Sequence, residues 1–282
     1  MEIKFDYIPT NGIKLHTAFS GPKNGKPVIL LHGFPDAWFG WESQIHVLAS
    51  AGFRVIVPDQ RGYNFSDKPK GKAKYRLNIL GQDILGLADT LGLDRFHLAG
   101  HDFGAMVSWV IAMSSPEHLQ NLVIANVPHP EVMQQYIWKN LTQLRKSWYA
   151  FFFRIPKIPE WFVRRKSWNR LISAMAKGLS KEEQDRYREA WAQENAITSM
   201  INWYRAMKVR SSSKSKTLTR ITVPTLILWG KQDPHISYEM AQLSVDVCEN
   251  GQLITFEEAS HWVHQDEPDR FNQLMINHFE KE

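Results

Sequence analysis

Ala99-Gly100-His101-Asp102-Phe103-Gly104 decides how this 282-residue chain is read. The apolar run 96–99 enters it as a buried strand, and the amphipathic stretch 103–114 leaves it as a helix. Glycines on both sides of one residue permit a cramped strand-to-helix turn. That turn thrusts the middle side chain out at the sheet edge, as a nucleophile elbow does. Serine usually stands at the centre, but here it is Asp102. A carboxylate is ionised at neutral pH without help, and it attacks carbon to form an ester with the enzyme.

The surroundings of the elbow fit a sheet of that kind. Runs 27–31, 53–57, 122–125, 225–229 and 253–256 are short and apolar, as buried parallel strands are. Helical patterns at 77–91, 238–247 and 268–280 alternate with them. Segments 3–8 and 13–19 face each other across Thr10-Asn11-Gly12 as an antiparallel hairpin at a sheet edge. A predominantly parallel α/β sheet follows. Residues 131–220 break the rhythm with helical patterns, no convincing strand, and a closing Ser211-Ser212-Ser213-Lys214-Ser215-Lys216. They carry 19 Lys and Arg against 7 Asp and Glu, whereas the rest of the chain has 15 against 22. The expected organisation is a core of 1–130 and 221–282 with an inserted all-helical cap, or lid, at 131–220.

An ester on Asp102 must be hydrolysed, which needs water and a base. Ser260-His261-Trp262 follows the last apolar strand, so His261 lies in a loop at the same carboxyl edge, and its near-neutral pKa suits water activation. Trp229-Gly230-Lys231-Gln232-Asp233 follows the preceding strand, which lets Asp233 orient and charge-balance the imidazole. Leu31-His32-Gly33-Phe34-Pro35 ends an early strand. The backbone N–H groups of Phe34 and Phe103 are expected to form an oxyanion hole for the tetrahedral species.

With these residues in place the chain resembles the α/β-hydrolase family, and within it the epoxide hydrolases of the soluble type. The resemblance runs in order over nearly the whole chain. It is carried by His32-Gly33-Phe34-Pro35, Arg61-Gly62-Tyr63, Gly100-His101-Asp102-Phe103-Gly104, Asn126-Val127-Pro128-His129-Pro130, Asn202-Trp203-Tyr204-Arg205 and Ser260-His261-Trp262-Val263. It implies an eight-stranded core sheet capped by the insertion, an epoxide and water as substrates, and neither cofactor nor metal. It also implies two cap tyrosines that donate hydrogen bonds to the epoxide oxygen. Tyr204 matches one motif closely; Tyr149, with Phe153 and Pro156, fits the looser second, and Tyr136 is the next candidate. Phenols with pKa near 10 stabilise an opening alkoxide and then protonate it.

Other readings stand beside this one. Dehalogenases share the aspartate nucleophile, but they resemble a pattern with N–H donors or arginines where this chain has Phe34, Phe103 and Met106. A non-catalytic binder on the same fold would keep the pocket without needing Asp102, Asp233 and His261 together. His261, His264 and Asp266 have a metal-like H-x-x-H spacing that is weak by itself, and His101 and His129 read as structural hydrogen-bonders. Trp38, Phe153 and Trp262 are candidate pocket walls, with core packing as the alternative.

Composition narrows the setting. Hydrophobic residues make up 43% and charged residues 22%, which excludes a disordered or low-complexity chain. One cysteine, Cys248, cannot form an internal disulfide, which fits a reducing, cytoplasmic compartment. No stretch approaches the about 18 apolar residues of a spanning helix, so a soluble chain without stable membrane insertion is expected. The formal charge of +5 averages a basic insertion with an acidic remainder. Arg164-Arg165-Lys166, Lys181 and Lys214-Ser215-Lys216 are dispersed and lie in no nucleic-acid motif, so a solvated basic face is expected rather than nucleic-acid binding, with attraction to anionic surfaces as the alternative. Monomer and homodimer both stay open. Six of eleven tryptophans (Trp138, Trp148, Trp161, Trp168, Trp191 and Trp203) fall in the insertion.

Overall fold

A computed structural model describes residues 2–165, 167–176, 178–207 and 218–281. Lys166 and the serine- and lysine-rich run 211–216 lie outside them. The strands are β1 (Lys4–Thr10), β2 (Ile13–Ser20), β3 (Pro27–Leu31), β4 (Arg54–Pro58), β5 (Phe96–His101), β6 (Leu119–Ala125), β7 (Thr225–Gly230) and β8 (Gly251–Phe256). They form one sheet in the order β1-β2-β4-β3-β5-β6-β7-β8. β2 pairs antiparallel with β1 and β4, and every pairing from β4 to β8 is parallel. The expected edge hairpin and the parallel α/β sheet are both present.

Strand periodicity explains how that sheet is covered. Ile29, Leu31, Ile56, Leu98, Leu122, Ile124 and Ile227 point to one face, and Val28, Leu30, Val55, Val57, Ala99, Val123 and Leu228 to the other. Both sets are buried, so the strands read as continuous apolar runs rather than alternating ones. The first face packs on α2 (Leu77–Thr90) and α3 (Phe103–Ser114), and the second on α1 (Glu42–Ser50) and α13 (Pro268–Phe279). The sequence pattern did not reveal α1. Its buried face carries Gln44, whose amide donates to the His264 carbonyl at 3.0 Å and to Asn272 Oδ1 at 2.7 Å. That polar residue interrupts the apolar periodicity on which helix recognition rests.

Between β6 and β7 the described residues hold helices and no strand. These are α4 (Pro130–Ile137), α5 (Leu141–Lys146), α6 (Trp148–Phe152), α7 (Ile158–Arg164), α8 (Asn169–Ile172), α9 (Lys181–Ala192) and α10 (Ala196–Ala206). The remaining helices are α11 (Glu239–Val245) and α12 (Val263–Asp266). Indole N–H groups tie the helical segment to core loops: Trp191 donates to the Pro35 carbonyl at 2.6 Å and Trp203 to that of Arg61 at 3.0 Å.

The loop after β4 is held by a buried ion pair. Arg61 grips Asp83 of α2 with Nε and a terminal nitrogen, both at 2.6 Å. Asn11 adds a 2.8 Å bond to the same carboxylate from the β1–β2 turn. Removing one partner strands the other charge away from water. Asp83→Ala is therefore expected to cost about 3–5 kcal/mol in urea unfolding. A loss below about 1 kcal/mol would show that the pair is not holding this corner.

Candidate active site

The elbow residue sits on backbone that L-residues rarely adopt. Asp102 has φ 50° and ψ −122° at the start of α3, where the helix dipole favours an anion. Close approach requires the glycines beside it. A Cβ on Gly104 would lie 2.0 Å from the Leu31 carbonyl oxygen, and one on Gly33 would lie 2.3 Å from Asp102 Cβ. Parallel pairing of β3 with β5 brings the loop after β3 over the elbow. That loop is latched from below, because His32 accepts from the Gln60 N–H at 3.0 Å and the Gln60 amide donates back to the His32 carbonyl.

Asp102, His261 and Asp233 meet at the carboxyl ends of β5, β8 and β7, where open α/β sheets place their ligands. The Phe34 N–H donates to Asp102 Oδ1 at 2.8 Å. His261 Nε2 lies 3.4 Å from Asp102 Oδ2, and its Nδ1 lies 2.7 Å from Asp233 Oδ2. Asp233 is itself fixed: the N–H groups of His235 and Ile236 reach Oδ1 at 2.7 and 2.9 Å. His101 Nε2 donates to the His261 carbonyl at 2.8 Å and holds that loop.

Charges follow from this packing. Burial opposes ionisation of Asp102, but the His261 contact and the Phe34 N–H outweigh it and bring the carboxyl down to about 2. Asp233 is lowered in the same way, with burial overcome by His261, Asn126 and His235. His261 goes the other way. Burial would lower it, but the carboxylates of Asp233 and Asp102 on either side raise it to about 10. His101 is kept neutral, pushed down to about 3 by burial and by His261.

A cavity of about 590 Å³ stands over the carboxylate and is walled mainly by aromatic side chains. Tyr149, Tyr204, Phe34, Phe153 and Trp262 line it together with Asp102 and His261. A smaller lobe of about 130 Å³, reaching Met106, shares Asp102, Tyr149 and Tyr204 with it. Rings pin Tyr204 on three sides, with centroids 4.7 Å from Phe103, 4.8 Å from Phe153 and 5.2 Å from Phe34. Neither phenol hydrogen-bonds to another group among the described residues. Burial and the Asp102 charge raise both, Tyr204 well above the ordinary phenol value, so both are protonated donors at neutral pH.

Four expectations need correction or completion. Trp38 is not a wall of the cavity. It packs against Phe5 at 4.9 Å and Phe39 at 5.7 Å on the flank of the sheet, and its N–H donates to Asp59. His264 does not join Asp266, which accepts from Ser260, but lies with Asp36 and His101 in a buried group whose donor atoms are within 4.8 Å of one another. Asp36 there accepts from Tyr187 at 2.9 Å, and burial lifts it to about 7. Asn126, read only as unable to be the anionic partner, donates to Asp233 Oδ2 at 2.9 Å and accepts from the Gly230 N–H at 2.8 Å. Its place at the end of β6, beside β7, was the signal. Tyr136 is remote, accepting from Asn140 at 2.8 Å and lining a different surface pocket.

Comparison with known proteins agrees with this geometry. Residues 26–268 match the family model described as alpha/beta hydrolase fold. The chain is 41% identical to the AB hydrolase superfamily protein YfhM of Bacillus subtilis over 99% of both chains. It is 35% identical to epoxide hydrolase 4 of Mus musculus, over 95% of this chain and 77% of that one. The solved epoxide hydrolase of Bacillus megaterium in complex with an inhibitor is 29% identical and superposes with a TM-score of 0.90, covering 98% of this chain and 100% of that one.

The electrostatics make a direct prediction. Asp102→Asn removes one of two carboxylates that raise His261, so the imidazole should lose its proton at lower pH than in the native protein. NMR titration of His261 Nδ1 and Nε2 reads this. An unchanged midpoint would mean that Asp102 does not set the charge of the histidine.

Proposed function

The chain belongs to the α/β-hydrolase family, and we propose that it hydrolyses epoxides to vicinal diols through an ester on Asp102. The single observation that carries the reading is one cavity shared by an ionised carboxylate and two phenols, neither of whose hydroxyls bonds to another group among the described residues. An epoxide seated there accepts hydrogen bonds from Tyr149 and Tyr204, and an oxygen of Asp102 attacks one ring carbon. The C–O bond breaks, its electron pair goes to the ring oxygen, and a phenol supplies the proton.

Esterification then resets the site. It removes the Asp102 charge, one of the two carboxylates that raise His261, so the imidazole holds its proton less firmly and gives it toward the tyrosinate. Neutral His261 takes a proton from water, whose oxygen attacks the Asp102 ester carbon. The oxyanion is held by the N–H groups of Phe34 and Phe103. Collapse releases the diol, and Asp102 and protonated His261 return. Asp233 keeps the imidazole oriented, and Asn126 keeps Asp233 oriented. Helices α4–α10 serve as the lid that excludes bulk water, within the proposed 131–220 domain.

A halide-leaving reaction is less well supported. Phe34 and Phe103 have no side-chain N–H, and the Trp262 indole on the cavity wall already donates to the Ala174 carbonyl at 3.0 Å. Two lobes on either side of Asp102 favour small hydrophobic epoxides with substituents on one or both carbons. A cytoplasmic setting is consistent with Cys248, which is buried with its thiol pushed up to about 11.

Styrene oxide incubated with the purified protein should yield phenylethanediol, and Asp102→Asn should abolish this. His261→Gln should accumulate protein heavier by one substrate, seen by intact-mass spectrometry. Tyr204→Phe should lower kcat by roughly 10²-fold or more. No diol from a panel of terminal and disubstituted epoxides, with no adduct in His261→Gln, would refute the reading.

A further inference from the structure

We propose that the outward face of residues 138–165 docks the protein on an anionic lipid bilayer. Seven of the twelve large hydrophobic side chains exposed on the described residues fall in this stretch, led by Leu141 at 73%, Trp148 at 62% and Trp161 at 58% exposure. Trp138, Phe151, Ile155 and Ile158 complete the set. So dense a run of exposed apolar side chains within 28 residues of sequence marks an interaction surface.

Charge identifies the partner. Lys139, Arg145, Arg154, Lys157, Arg164 and Arg165 are exposed among these apolar residues. Glu160, the one acidic residue in 138–165, is consumed by Arg205 at 2.6 Å. None of the six exposed basic residues makes an ion pair among the described residues. Spacing mixes the two kinds on one surface: Ile158 and Trp161 are three apart on α7, and the Arg165 guanidinium lies 4.5 Å from the Trp161 ring centroid. Tryptophan and basic residues together suit the headgroup level of a bilayer, where the rings sit among acyl ends and the cations meet phosphates. A two-fold contact between copies would instead press one basic face against another.

The surface also adjoins the catalytic cavity. Trp148 lines that cavity and is largely exposed, and Phe152 links it to Phe162 through ring contacts of 6.1 and 5.3 Å. An apolar molecule dissolved in the bilayer would enter beside Trp148 without crossing water. No described helix is long and apolar enough to span a membrane, so the attachment is peripheral.

The test is cosedimentation with vesicles of equal parts phosphatidylcholine and phosphatidylglycerol, against phosphatidylcholine alone, without substrate. The native protein should bind the anionic vesicles at about 50 mM salt, less at about 500 mM, and leave neutral vesicles unbound. Trp161→Ser with Ile158→Ser, and separately Lys157→Glu with Arg165→Glu, should each weaken binding at least about tenfold. Circular dichroism and turnover of a dissolved epoxide should be unchanged. No binding at low salt, or variants that bind like the native protein, would overturn the proposal. So would a native dimer that these variants dissociate while vesicles go unbound. Vesicle binding is read without any reaction, so a failed epoxide assay leaves this result standing by itself.

Discussion

Everything in the site depends on holding Asp102 ionised and forward on a turn with positive φ. The space for that turn exists because Gly104 lets the Leu31 carbonyl approach and Gly33 lets the loop after β3 approach. The charge is tolerated because the Phe34 N–H, the α3 dipole and His261 surround it. Once the carboxylate is in place, the neighbouring pKa values order themselves around it: His261 is driven up and the two phenols are kept protonated. Under the proposed reaction one covalent event, ester formation, reverses these pressures together. The acid–base roles therefore follow from a single change of charge rather than from separately tuned groups.

Much of this was legible in the chain because local rules coincide with the fold. Gly-x-Asp-x-Gly, His32-Gly33-Phe34-Pro35 and the strand-end positions of Asp233 and His261 are short-range signals, and parallel pairing carries them to one edge. Contacts set by tertiary packing were not legible. Trp38 is a candidate pocket wall in the sequence, but Phe5, 33 residues earlier, captures its ring. Asn126 supports Asp233 across two strands, a relation invisible to any local spacing. Helix α1 was hidden by Gln44, a buried amide whose N–H groups donate to partners more than 200 residues away.

The tryptophans of the inserted helices divide by what their indoles do. Trp191 and Trp203 are buried and fasten the helical segment to core loops by donating to their carbonyls, and Trp168 packs on Trp191 with centroids 6.3 Å apart. Trp138, Trp148 and Trp161 are exposed, and their indoles donate no hydrogen bond among the described residues. Composition alone showed an excess of tryptophan; only the structure separates the packing half from the half turned outward. The same segment thus has an inner face of tyrosine and phenylalanine over Asp102 and an outer face of tryptophan and cations.

The covalent ester is the centre of the account, and isotope transfer tests it most directly. A single turnover of styrene oxide by excess enzyme in ¹⁸O-water should leave the label in the Asp102 side chain, detected in the peptide that contains it. The diol released in that turnover should carry none, because its new oxygen comes from Asp102. Label in that first diol, with Asp102 unlabelled, would mean that water opens the ring directly, and the proposed role of Asp102 would be wrong.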